Sequence, residues 1–142
     1  MDFGKLLIEQ GLIEKAMGLF ERAAGLADDP ASLQQELAQL CRSKGYLEQA
    51  VKLFKGVLKE QPNRSEIKTQ IGQLYVRLEK FDKALPFLNE AASLDDKNVA
   101  IKLLMARCYI GLKQVGWAER TINEILRLDP DYHEARELME LY

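Results

Sequence analysis

The sequence predicts an all-α fold, a solenoid of antiparallel helix pairs, on three observations. Small residues recur at a fixed long step, the apolar positions inside each step follow helical spacing, and a turn closes every step at the same place. Ala16, Ala50, Ala84 and Ala118 stand 34 residues apart. A second small column keeps that step at Gly4, Ala38, Gly72 and Ala106. Bulky columns follow at Phe20, Phe54, Leu88 and Ile122, at Phe3, Leu37, Ile71 and Met105, and at Leu7, Cys41, Tyr75 and Tyr109. Asp28, Pro62, Asp96 and Pro130 form the turn column. So many columns in register over four periods are not chance.

Within a period the apolar spacing is helical. Leu47, Ala50, Val51, Phe54, Val57 and Leu58 fall at i, i+3, i+4, i+7, i+10 and i+11, one stripe of a helix. Leu33, Leu37, Leu40, Cys41 and Lys44 form the stripe before it, and the breaks SKGY (43–46) and LEKF (78–81) separate the two halves of a period. The predicted helices are therefore 1–10 and 14–27, 31–44 and 48–61, 65–78 and 82–95, 99–112 and 116–129. A ninth piece runs from His133 to the end. The units are 1–30, 31–64, 65–98 and 99–132, with a terminal helix at 133–142, and the whole chain 1–142 reads as a single domain.

Composition narrows the class further. The chain has 142 residues, 47% hydrophobic and 30% charged, enough for a core without disulfides or metal. A net charge of −2 gives no global electrostatic case for nucleic acid or an anionic membrane surface. The longest apolar run, AIKLLMARCYIGL, is broken by Lys102 and Arg107, so no membrane span is expected. Cys41 and Cys108 match no metal or redox spacing and sit on apolar stripes, where Cys acts as a small buried hydrophobe. That usage fits a reducing, cytoplasmic setting.

No group of residues assembles into a catalytic or metal constellation, and neither enzyme activity nor a cofactor is expected. His133, the one histidine, opens the last helix. Asp28 and Asp29, Asp95 and Asp96, and Asp129 and Asp131 recur at the turns, where Asp caps a following helix. Trp117 is expected to pack with its ring partly exposed, and Pro86 to lie near the first turn of its helix. Lys52, Lys55, Lys59, Glu119, Arg120 and Arg127 on the second helices read as a solvated outer face.

The pattern resembles the tetratricopeptide repeat, a helix–turn–helix unit recurring over the whole chain, with small residues at its two close-contact points. Pro62 and Pro130 match that family's terminal proline, while its early Trp is replaced by Gln34, Lys68 and Lys102. The resemblance implies a right-handed superhelix whose first helices line a concave groove. The groove positions carry Lys5, Gln35, Gln39, Arg42, Thr69, Gln73, Arg77, Leu103 and Arg107. Long amide and guanidinium donors there suit the backbone or carboxylates of a partner segment. The family's carboxylate clamp for acidic chaperone tails is not formed: its positions hold Gln35, Gln39, Gln70, Ala100 and Leu104, or Met1, Lys5, Glu36, Glu66 and Gln70 one unit earlier.

The expected function is a non-catalytic protein-interaction scaffold that holds a peptide or helix of a partner protein. One alternative is a small chaperone for a secreted or assembled protein, which would capture an apolar segment on Leu103 and Ile110. A more distant one is the regulatory part of an enzyme. The terminal piece HEARELMELY and the start of the chain are each short for a full first helix. The expectation is therefore a segment of a longer repeat protein, or self-association through the terminal helices.

Overall fold

The computed structural model describes Arg22 and residues 30–140. Apart from Arg22, the helices expected at 1–10 and 14–27, and the last two residues, lie outside that range. Seven helices follow in order among the described residues: α1 (Pro30–Ser43), α2 (Leu47–Glu60), α3 (Ser65–Arg77), α4 (Phe81–Leu94), α5 (Val99–Gly111), α6 (Val115–Leu128) and α7 (His133–Met139). Each of α1 to α6 begins and ends within one residue of the span its periodicity predicts. No strand occurs among the described residues.

The chain divides into two compact units at Pro62 and Asn63. The described part of the first is the pair α1 and α2, packed along each other. Ala31, Leu37, Ala38 and Cys41 of α1 and Ala50, Val51, Leu53, Phe54 and Val57 of α2 are its buried residues. Gly56 lies against the Gln34 side chain, whose amide would be 3.1 Å from any added Cβ.

The second unit holds α3 to α7. Helix α3 packs on α4 as one pair and α5 on α6 as the next, and α4 also packs on α5. At the heart of the first pair Gly72 faces Leu88 so closely that a Cβ on Gly72 would collide with the Leu88 side chain. Leu88, Ala84 and Ala91 are all completely buried. Helix α5 has neighbours on several sides, which explains why VAIKLLMARCYIG is apolar around most of its circumference. Leu103, Ala106, Ile122, Ile125, Ala135 and Leu138 form one cluster joining α5, α6 and α7.

One ion pair spans each helix pair of this unit. Lys68 Nζ lies 3.0 Å from Glu90 Oε2, and Lys102 Nζ lies 3.3 Å from Glu124 Oε2. Both lysines are largely covered while the glutamates are exposed. Each pair contributes at most about 1 kcal/mol, since solvent screens the exposed partner. The largely covered lysine side chains also bury aliphatic stem.

The turns inside the pairs share one geometry. Gly45, Glu79 and Lys113 all have positive φ, at 87°, 59° and 61°. In each the next amide reaches back to the carbonyl five residues earlier: Tyr46 to Cys41 at 2.9 Å, Lys80 to Tyr75 at 2.8 Å, and Gln114 to Tyr109 at 2.8 Å. These are left-handed helix stops, satisfying carbonyls the helix end leaves open.

Two sequence expectations need correction. Asp28 and Asp29 lie outside the described residues, and the other turn aspartates do not cap the helices: Asn98 caps α5, accepting from the amides of Ala100 (3.0 Å) and Ile101 (3.3 Å). Asp95 Oδ2 accepts from Asn98 Nδ2 at 3.0 Å and orients that cap. Asp129 Oδ1 accepts from Asp131 N at 3.3 Å within its own turn. Pro86 stands past the first turn, inside α4, on an exposed side where water can bind the carbonyl it abandons.

Four outcomes follow from this packing and its turns. Leu88→Ala lowers stability by about 2–5 kcal/mol through the cavity it leaves. Gly72→Ala added to it directs a methyl into that space, so in urea melts the double variant is less destabilised than Leu88→Ala alone. Lys113→Gly relieves a left-handed residue and raises stability by about 0.5–1 kcal/mol, read as a higher melting temperature. Burial pushes the Cys108 thiol up to about 12 and also raises Cys41. Both cysteines therefore label slowly with a thiol reagent at neutral pH in the native chain and quickly in denaturant.

Candidate functional site

The second unit brings its first helices together. Helix α3 touches α5 and α5 touches α7, whereas no Cα of α4 comes within 8 Å of one in α6. The second helices are therefore splayed and the first helices line the inner side of the bend.

The residues expected to bind fall into three groups. Lys5 lies outside the described residues. In the first unit, Gln39 is exposed on α1, while Gln35 and Arg42 are half-buried. In the second, Gln73 and Arg77 on α3 and Arg107 on α5 are exposed. Thr69 is half-buried, and its hydroxyl donates to the Ser65 carbonyl at 2.8 Å, so that donor is spent within its own helix. Leu103 departs from the expected groove. It is only 6% exposed, because Ala135 and Leu138 of α7 cover that part of α5 and draw Leu103 into the core.

A recess of about 580 Å³ opens between α3, α5 and α7. Arg77 and Arg107 stand on its α3 and α5 walls, and Glu134 and Glu137 form its α7 wall. Glu79, in the left-handed turn after α3, adds a third carboxylate. The apolar lining comes from Val76, Phe81, Ile110 and Leu138. The Phe81 ring lies so close to the Gly111 backbone that any side chain at 111 would displace it.

Burial, then a hydrogen bond to Glu134, pushes the Tyr132 phenol above its usual range, and the nearby positive charge of Arg107 pulls the other way. The Arg77, Arg107 and Glu137 side chains make no ion pair among the described residues.

The sequence did not point to Phe81, Glu134 or Glu137. The two glutamates are three apart on a short helix, a signal that any exposed helix face gives, and only the seating of α7 beside α5 turns them toward Arg107. A smaller concavity of about 370 Å³ lies on α6, lined by Glu119, Arg120, Asn123, Glu124, Arg127 and Gly116. Nearby, Trp117 is 54% exposed, stacks on Tyr109 with ring centroids 6.1 Å apart, and carries the Arg120 guanidinium 5.5 Å from its ring. No cluster of three or more His, Cys, Asp or Glu able to hold a metal occurs among the described residues, and no described helix is long and apolar enough to cross a membrane.

Comparison with known proteins identifies the repeat. An uncharacterized protein of Haemophilus influenzae is 34% identical over 71 residues, 49% of this chain and 33% of that protein, so the match spans about a third of the relative's length. Similar solved structures include the first repeat domain of Spaghetti (RPAP3) bound to the HSP90 peptide SRMEEVD, with TM-score 0.70, 20% identity, and coverage of 78% of this chain and 91% of that one. MamA from Desulfovibrio magneticus RS-1 aligns with TM-score 0.75 and 19% identity over 92% of this chain and 74% of its own. YrrB, described as having an unusual peptide-binding site, aligns with TM-score 0.75 and 15% identity over 96% and 71%. At these identities the likeness is one of fold. The tetratricopeptide repeat model matches residues 7–74 and 75–142, nearly the entire chain, and the chain belongs to that family.

Proposed function

We propose that the chain is a non-catalytic protein-interaction scaffold that holds a segment of a partner protein on its first helices. The observation that carries this reading is the recess between α3, α5 and α7, where Arg77 and Arg107 face an apolar floor. Such a surface presents charge-assisted donors beside area to bury, the combination that binds an extended or helical segment. A relative of the same fold is described as bound to a peptide, which supports this use of the fold. Gln39, with Gln35 and Arg42, offers a second polar surface on α1 of the first unit. The chaperone reading needs an apolar strip on Leu103 and Ile110, and burial of Leu103 favours polar capture over it.

The test is affinity capture from the source cell with three forms of the chain. Gln73→Ala/Arg77→Glu/Arg107→Glu abolishes capture of the partner seen with the unaltered chain, while helicity and melting temperature stay nearly unchanged. Lys52→Glu/Glu119→Lys, on the second helices, leaves capture intact. The opposite pattern would move the binding surface to the second helices and overturn the proposal.

A further inference from the structure

The recess is neither a basic slot nor an apolar one. Its inner walls carry two guanidinium groups and three carboxylates around an apolar floor. A purely acidic tail would meet Arg77 and Arg107 but would also press charge against Glu79, Glu134 and Glu137. An uncharged apolar ligand would cover Arg107 and Glu137 without pairing them, at the cost of desolvating both. An occupant that satisfies all walls must carry charge of both signs with a bulky apolar group between.

The α7 wall discriminates most. Glu134 and Glu137 are one helical turn apart, so their carboxylates share a face and can flank a single cationic head. Leu138 and Ile110 lie beside them as the apolar seat. At the α3 end Glu79 partly offsets Arg77, so preference for an acid there is weaker.

We infer that the recess takes a partner segment in which a bulky aliphatic or aromatic residue adjoins a Lys or Arg. The apolar side chain seats on Ile110, Phe81 and Leu138. The cationic head lies between Glu134 and Glu137, and the segment's acidic or carbonyl groups turn to Arg107 and Arg77. A volume of about 580 Å³ accommodates such a group of side chains. This inference rests on the scaffold reading above and adds the chemistry of the segment.

The probe is a random-peptide library displayed on phage and selected on the full chain. The enriched peptides share an apolar residue next to Lys or Arg. For a synthetic copy, measured by fluorescence anisotropy, Glu134→Lys/Glu137→Lys weakens binding about tenfold. Replacing the peptide's basic residue by Glu restores binding to that variant, a charge swap that damage to the fold would not give. Ile110→Ala weakens the unaltered peptide as well. Circular dichroism checks each variant. Glu137→Lys alone serves if the double variant does not fold.

Enrichment of all-acidic or all-apolar peptides, or of none, overturns the inference. So does a peptide indifferent to Glu134→Lys/Glu137→Lys. If that same peptide is lost on Gln73→Ala/Arg77→Glu/Arg107→Glu, the scaffold reading stands and only the mixed-charge chemistry fails. A peptide indifferent to both sets fails both readings.

Discussion

How closely two short helices can lie against each other decides everything else in this chain. Helices of 13 or 14 residues are marginal alone, and their stability comes from packing. At Gly72 and Leu88 the approach is so tight that no Cβ fits on the first helix. Ala38 and Ala106 stand at the same point of the other pairs and are fully buried. This contact sets the register of each pair. The register places one apolar stripe between the helices and leaves another for a neighbour to cover, as α4 and α5 do for each other in the second unit. In the second unit the first helices touch one another and the second helices do not, and the recess is the geometric consequence.

What was readable in advance follows from this constraint. Columns that serve close packing must recur with the period, so the helix spans of α1 to α6 could be placed from sequence almost residue by residue. Features that depend on one atom finding another could not. Aspartates and Asn98 share the same turns, and which of them caps α5 depends on backbone geometry that composition does not encode. Gly45 announces a left-handed turn, but Glu79 and Lys113 adopt the same conformation with side chains that give no hint of it. For the candidate site, exposure of Gln73, Arg77 and Arg107 was legible because it depends only on helical phase. The α7 wall and the burial of Leu103 were not, since both depend on where a seven-residue helix comes to rest.

The ion-paired columns show how the period tolerates changed chemistry. Lys68 and Lys102 occupy the position where the family carries a large aromatic ring, and each reaches an acid on its partner helix. In the first unit the same column holds Gln34, set against Gly56 rather than an acid. Its Oε1 is buried without a hydrogen-bond partner among the described residues, as is that of Gln70. An unsatisfied buried acceptor costs about 1–3 kcal/mol. The helix pair therefore survives loss of the ring because the alanine and glycine columns, not this position, set the approach.

Helix α5 joins stability to binding. Leu103 and Arg107 are one turn apart on it, yet one lies in the core and the other stands on the recess. Helix α7 covers the part of α5 holding Leu103 with Ala135 and Leu138, whereas Arg107 stays exposed. Leu138 belongs to both sides, buried in the core cluster and lining the recess. A helix of seven residues has little stability of its own, so α7 holds its place through those two residues. Any segment that engages Glu134 and Glu137 therefore binds only the docked form of α7, and binding and docking stabilise each other by mass action. The wall that carries Glu134 and Glu137 is also the shortest helix of the recess, so part of the binding free energy of such a segment goes into holding α7 in place.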